Sequence, residues 1–177
     1  ERQIPLHIRS TFAPDAPGTR IGFDAPANLV PSGVIGFAGR RPVSMLRVIF
    51  PENTEETALW EVRACLNEHR IEMFHSACGV EGLCLLLSSG AEADALHAAA
   101  EQLRERFPGA KVKLRENLAV LLALCRSTKD IPKLSAAIEA SGAPVHHLVQ
   151  TPPGAMFCVN DSQYEQALRS AYQAAFG

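Results

Sequence analysis

The sequence predicts an α/β (α+β) fold built from two β-α-β-β-α-β units. From residue 43 onward, apolar runs alternate with amphipathic stretches, as expected of strands interleaved with helices. The order of these segments repeats with a unit of about 65 to 75 residues, which indicates an internal duplication. Hydrophobic residues make up 47% of the chain and charged residues 20%, a composition typical of a packed globular domain.

Residues 1–42 have a different composition from the rest of the chain. They are rich in proline and glycine, which favour turns and extended segments over helix. We therefore expect residues 1–30 to form a strap that precedes the repeated units.

The first unit is predicted to occupy residues 43–116. Asn53 and Glu56 have the spacing of a capping box for its first helix, and Pro108-Gly109 ends its second. Apolar residues lie on one face of each helix: Leu59, Val62 and Leu66 in the first, and Leu96, Ala99, Leu103 and Phe107 in the second. The predicted elements are a strand at 43–50, a helix at 54–69, strands at 71–77 and 83–88, a helix at 92–107 and a strand at 110–115.

The second unit lacks its last strand. Ile131, Leu134 and Ile138 share one face of its first helix, and Ser162 with Glu165 has the spacing of a capping box for its last helix. The predicted elements are a strand at 118–125, a helix at 130–140, strands at 145–150 and 155–159, and a helix at 162–176.

The segment 33–39 is the remaining candidate for the missing strand. A β-α-β-β-α unit without a sixth element would leave one edge of its sheet unpaired. We therefore predict that residues 33–39 pair with the strand at 118–125. The second domain is then discontinuous, formed by residues 31–42 and 117–177, and the first domain, residues 43–116, is inserted in it.

The charge balance argues against nucleic acid and membrane partners. The chain has 17 Lys and Arg against 19 Asp and Glu, a formal net charge of −2. Its basic stretches, Arg40-Arg41 and residues 111–115, are short, whereas nucleic-acid binding requires clustered cations. The longest apolar run, residues 118–125, is far shorter than the roughly 20 residues of a membrane-spanning helix. We expect no nucleic acid and no membrane among its partners.

The N-terminus and the cysteines indicate a cytoplasmic protein. The chain starts at Glu1 without a Met or a secretory leader, and we expect it to belong to a longer protein. Its five cysteines include no C-x-x-C pair. We predict reduced thiols, and the alternative is a disulfide framework or a zinc site. The thiols predicted to be mostly buried and unpaired are those of Cys65, Cys84, Cys125 and Cys158.

Motifs for catalysis or metal binding are not apparent. The glycines at positions 33, 36 and 39 match no phosphate-binding loop, so close strand packing explains them better. His69, His75 and Cys78 lack the acidic third ligand and shell expected of a zinc site. No nucleophile, histidine and carboxylate are predicted to converge. We therefore predict no catalytic residue and no metal site in this chain.

Two loops are suited to bind an amino acid. Each follows the first strand of a unit and leads into a helix, where free backbone N–H groups and the helix dipole favour a carboxylate. Glu72, predicted just inside the next strand, is placed to hold an ammonium group. Ordinary helix capping with solvated carboxylates is the alternative. The candidate residues are Glu52, Asn53, Thr54 and Glu55 in the first loop, and Ser127 in the second.

The strap closely resembles a segment of a known family. Residues 4–19, IPLHIRSTFAPDAPGT, are similar to the end of the catalytic domain of aspartokinases, where the pattern I-P-x-x-[VI]-[RK]-x-[TS]-F-x-P-x-A-P-G-T recurs. The rest resembles the regulatory region of that family, a tandem of ferredoxin-like ACT domains in which the first is inserted in the second. Residues 118–124 resemble the opening strand of the second ACT domain, and residues 164–176 resemble its final helix.

The resemblance implies the C-terminal part of an aspartate kinase, which phosphorylates L-aspartate in the first step toward lysine, threonine and methionine. The family's K-F-G-G motif has no counterpart here. We therefore expect no catalysis by this fragment alone and no cofactor in it, whereas the parent kinase is expected to use ATP and Mg²⁺.

The resemblance also implies three partners. They are an amino-acid effector, with lysine preferred to threonine, the protein's own kinase catalytic domain, and a second copy in a homodimer formed through the ACT domains. The alternative is an ACT pair that has kept dimerisation and lost its ligand.

The candidate site matches the family's pattern in some positions and departs from it in others. Glu72 replaces the family's usual Asp, and residues 54–56 stand where many relatives carry a glycine. The family's T-T-S-E or similar string corresponds to residues 75–78 here, and to residues 150–153 in the second unit. These strings contain the further candidate residues Ser76 and Thr151.

Overall fold

The computed structural model describes residues 4–22, 33–51, 58–79, 82–88, 93–151 and 154–177. The chain divides into two compact units, Glu1–Pro31 and Ser32–Gly177. In the first unit, strands β1 (Leu6–Ile8) and β2 (Thr19–Ile21) form an antiparallel hairpin in which Leu6 pairs with Ile21.

The described residues of the second unit form six strands in one curled antiparallel sheet, with four α-helices. The strand order is β4-β5-β3-β6-β8-β7, so β4 and β7 are the edge strands. The elements are β3 (Val34–Ile49), α1 (Ala58–Glu68), β4 (Met73–Gly79), β5 (Gly82–Ser88), α2 (Ala93–Arg106), β6 (Lys111–Cys125), α3 (Ile131–Ala140), β7 (His147–Thr151), β8 (Gly154–Asn160) and α4 (Tyr164–Phe176).

The two central strands, β3 and β6, run through both halves of the sheet. Val34 pairs with Cys125 at one end of this pair, and Ile49 pairs with Lys111 at the other. The predicted pairing of residues 33–39 with the strand at 118–125 is therefore confirmed. The sequence predicted two strands in place of each, because polar residues interrupt the apolar runs. Register shifts between Arg40 and Met45 instead let β3 continue without a break.

The helices lie on one face of the sheet and bury two apolar clusters against it. In one cluster, Val62 of α1 and Leu103 of α2 pack with β3 and β5. In the other, Ile138 of α3 and Ala171 of α4 pack with Phe157 of β8. Because side chains alternate along a strand, a third cluster lies on the face away from the helices. Its buried members are Val43, Met45, Cys84, Leu86, Leu118, Val120 and Cys158.

The predicted capping box of the last helix is wrong. Residues 161–163 form a 3₁₀ turn, α4 begins at Tyr164, and no side-chain capping bond is present there. Arg41 explains the difference because it binds both nearby acids: its Nε is 2.8 Å from Asp161 Oδ1 and its Nη1 is 3.2 Å from Glu165 Oε1. The Asn53–Glu56 box lies outside the described residues.

Close packing accounts for two of the three regularly spaced glycines. A Cβ on Gly39 would overlap the Tyr164 hydroxyl, and one on Gly33 would overlap the Asp130 carboxylate. At Gly36, no described residue lies within 4 Å of that position. Among the helices in the described ranges, none has the length and apolar character needed to cross a membrane.

Candidate functional site

Glu72 is the predicted site residue with the most contacts. It lies just before β4 rather than inside it, and its carbonyl accepts a hydrogen bond from the Ser88 N–H at 2.8 Å. Its carboxylate Oε2 is 3.5 Å from Arg40 Nη2. The same Nη2 donates to Ser88 Oγ at 2.8 Å, and the guanidinium carbon lies 4.3 Å from the centroid of the Phe74 ring. Glu72 therefore already has a cationic partner, which comes from the central strand β3.

A small hollow adjoins Glu72. Its volume is about 160 Å³. Arg63 and Asn67 lie four residues apart on α1 and supply hydrogen-bond donors, while Glu72 supplies a carboxylate. These opposite groups are the chemistry that an amino-acid zwitterion requires, and Arg63 and Asn67 were not among the predicted site residues. The lining residues are Arg63, Leu66, Asn67, Ile71, Glu72 and Met73.

The other predicted residues of the first unit and of β7 are not seen at this hollow. Ser76 is half-buried in β4 opposite Leu85, and it is not among the described residues that line the hollow. Thr151 is the last residue of β7, where its backbone pairs with Gly154. The remaining four, Glu52, Asn53, Thr54 and Glu55, lie outside the described residues.

Ser127 has the capping role that was the alternative to effector binding. Its Oγ accepts a hydrogen bond from the Lys129 N–H at 3.3 Å, at the start of a 3₁₀ turn after β6. Cys125, at the end of β6, pairs with Val34, whereas Glu72 contacts Arg40. Val34 and Arg40 are six positions apart on β3, a distance of roughly 20 Å along the strand. The structure therefore does not bring Ser127 and Glu72 together.

A second arginine contact repeats the first in the other half of the sheet. Arg115 Nη1 is 2.5 Å from His146 Nδ1, and His146 Nε2 is 2.7 Å from Asn160 Oδ1. Because a guanidinium only donates, Nδ1 accepts and the ring proton lies on Nε2.

This second contact was not predicted from the sequence, although the spacing of the two arginines indicates it. Arg40 and Arg115 are 75 residues apart, as are Val43 and Leu118 in the first strands of the two predicted units. The common spacing places the two arginines at equivalent positions of the internal repeat.

The five cysteines are free, and four of them are buried. Only Cys78 is exposed, which confirms the predicted burial of the other four. Burial raises the pKa of the Cys65, Cys84 and Cys125 thiols, and it raises that of Cys158 to about 12. Such thiols stay protonated and are poor nucleophiles. Within the described part of the chain, no group of three or more His, Cys, Asp or Glu residues is placed to hold a metal ion.

Comparison with known proteins identifies the fold through structure. No family model and no curated protein matches the sequence. The aspartate kinase of Clostridium acetobutylicum superposes with a TM-score of 0.84 at 19% identity, over 98% of this chain and 42% of that chain. The regulatory subunit of aspartate kinase from Thermus flavus gives 0.67 at 21%, over 80% of this chain and 98% of that chain. E. coli aspartokinase III in complex with lysine and aspartate gives 0.72 at 18%, over 99% and 40%.

These similarities confirm the predicted fold, that of the ACT regulatory domains of aspartate kinase. The chain spans less than half the length of the clostridial and E. coli kinases, but nearly the whole length of the Thermus subunit.

Proposed function

We propose that this chain is the regulatory region of an aspartate kinase, the ATP- and Mg²⁺-dependent enzyme that begins lysine, threonine and methionine biosynthesis. The observation that carries the proposal is the extent of the structural match. The clostridial kinase matches 98% of the chain, whereas the Thermus regulatory subunit matches 80%. The strap sequence at residues 4–19 supports the same function, because it resembles the end of the aspartokinase catalytic domain.

Lysine is the proposed effector, and threonine is the second choice. An effector regulates only if it binds the active and inactive states with different affinity. Glu72 would accept hydrogen bonds from an ammonium group, while Arg63 and Asn67 lie at the same hollow as donors for a carboxylate. Support for lysine also comes from E. coli aspartokinase III, which has been solved with lysine bound.

A dimerisation module without an effector is the second candidate. It is favoured by the Arg40–Glu72 contact, because the acid already has a cationic partner. It is also favoured by Ser127, whose hydroxyl is engaged in its own turn.

We propose two ACT domains in the second unit, residues 43–116 and a discontinuous domain of residues 31–42 and 117–177. Support comes from the two separate apolar clusters beneath the helices. The strap would contact the kinase catalytic domain. Leu6, Ile8 and Ile21 are 50% to 59% exposed on its hairpin, and a two-stranded hairpin is not stable in water without further packing.

A cytoplasmic homodimer is the proposed assembly. The edge strands β4 and β7 offer backbone groups for pairing with a second copy. Five free cysteines agree with a reducing compartment. Light scattering of the purified chain should give twice the monomer mass of 19.1 kDa. A monomer at all concentrations would contradict this assembly.

Calorimetric titration of the chain with lysine, threonine and methionine tests the regulatory function. Saturable heat with lysine, and inhibition of the parent kinase by the same amino acid, is the expected result. No heat and no rise in melting temperature with any of the three would favour the dimerisation module.

A further inference from the structure

The curled sheet brings its two edge strands together on the face away from the helices. In the part of the chain that the structure describes, the buried Nε2 atoms of His75 in β4 and His147 in β7 have no hydrogen-bond partner. The two strands lie at opposite ends of the strand order, yet Ala77 and Cys78 of β4 and His147 of β7 line the same groove.

A groove of about 430 Å³ opens beside His147. Its walls combine apolar side chains with the Arg47 guanidinium and two thiols, and no carboxylate is among its described lining residues. This volume falls within the range of small-molecule sites, about 300 to 1,000 Å³. The lining residues are Arg47, Ile49, Ala77, Cys78, Gly79, Gly82, Leu83, Cys84 and His147.

Among the described lining residues of the groove, Arg47 carries a positive charge and none carries a negative charge. Arg47 pairs in register with Lys113 of β6, so the two cations stand side by side on one face of the sheet. Among the described residues, neither cation has an ion-pair partner. Like charges at directly opposite positions destabilise a sheet, and a bound anion would relieve that repulsion.

We propose that this groove binds a small carboxylate anion with a short apolar tail. The Arg47 guanidinium receives the carboxylate through its N–H donors. Ile49 and Ala77 enclose the tail. The site is separate from the hollow at Glu72, and the inference does not depend on the proposed regulatory function.

The test is a calorimetric titration of the 177-residue chain with 4-methylpentanoate, followed in parallel by NMR of the histidine rings. The proposal expects saturable binding and shifts of the His75 and His147 signals. 4-Methylpentylamine, which has a similar tail and the opposite charge, should not bind. Equal binding of the amine, equal binding of inorganic phosphate, or no saturable binding of the acid would each overturn the proposal.

Two substitutions assign the site. Arg47→Gln should weaken 4-methylpentanoate binding by about ten-fold or more, since it removes a charge-assisted contact. Arg20→Gln, on the strap hairpin, is the matched control and should leave the affinity unchanged, as should Glu72→Gln. Arg47 is exposed, and its removal relieves the repulsion with Lys113, so the variant should melt no lower than the wild type. Unchanged affinity in Arg47→Gln would overturn the assignment.

Discussion

The Glu72 carboxylate lies 3.5 Å from the Arg40 guanidinium, which reaches it from the centre of the sheet. The two side chains are 70% and 47% exposed, so solvent screens the pair, and its contribution to stability is about 0 to 1 kcal/mol. An effector ammonium at Glu72 would compete with this weak internal cation. The measured affinity for an effector therefore includes the small cost of breaking this contact.

The first prediction concerns Glu72→Gln. If lysine binds at the hollow, this change should weaken binding by about ten-fold, since a hydrogen bond to a charged group is lost. Melting temperature should stay near the wild-type value because the side chain is exposed. Calorimetry measures the affinity, and Glu105→Gln on α2 is the matched control. Unchanged lysine affinity would remove Glu72 from the site.

The second prediction concerns the competing cation. Arg40→Gln should strengthen lysine binding by up to about five-fold, because the cost of displacing an exposed ion pair, about 1 kcal/mol or less, disappears. Lys133→Gln, an exposed charge on α3, is the control and should have no effect. Weaker binding in Arg40→Gln would mean that Arg40 contacts the effector rather than competing with it.

Elements with a regular spacing of apolar residues could be predicted from the sequence alone. The second helix was predicted at 92–107 and is found at Ala93–Arg106. Prediction failed at the centre of β3, where Arg40, Arg41 and Pro42 were taken as a break between strands. A polar segment continues as a strand only if a partner strand accepts its register. Here that partner is Val120, 80 residues later, which local patterns do not specify.

The candidate site was harder to predict from the sequence, because its residues come from distant elements. An acid at position 72 was predicted, but its contacts come from Arg40 on a distant strand and from Arg63 and Asn67 on α1. Loop residues and strand residues were grouped by their place in the repeat. Both halves of the sheet share the long strand β3, and the two predicted groups of residues lie at different positions along it. Ser127 is therefore away from Glu72.

The third prediction uses the glycines of β3. Gly39→Ala should lower the free energy of unfolding by about 1 to 3 kcal/mol, because the new methyl group overlaps the buried Tyr164 side chain. Gly36→Ala is the matched control. It has open space, so it should be neutral or gain up to about 1 kcal/mol. Urea denaturation measures both, and adding Tyr164→Phe to Gly39→Ala should recover part of the loss. Equal stability of the two alanine variants would contradict the packing at Gly39.

The fourth prediction concerns thiol reactivity. One thiol per folded chain, that of exposed Cys78, should react rapidly with a disulfide reagent, and Cys78→Ser should abolish this phase. The other four are buried, and burial raises their pKa values, so they should react only on unfolding. Titration in denaturant should then give all five. Rapid reaction of a second thiol in the folded chain would contradict the burial.

The fifth prediction is a pH dependence of stability from His75 and His147. Burial lowers the pKa of both rings below the ordinary value of 6.5, and His75 and Arg47 lower that of His147 further. At a pH between the lowered pKa values and 6.5, the unfolded chain therefore binds more protons than the folded chain. This contribution to stability is complete above pH 6.5 and is lost as the pH falls toward the lowered pKa values. Urea denaturation followed by circular dichroism between pH 7.5 and 5 measures it. His147→Gln should reduce the loss, whereas His97→Gln, an exposed control, should retain it. The same loss in His147→Gln as in the wild type would show that this ring does not cause the acid sensitivity.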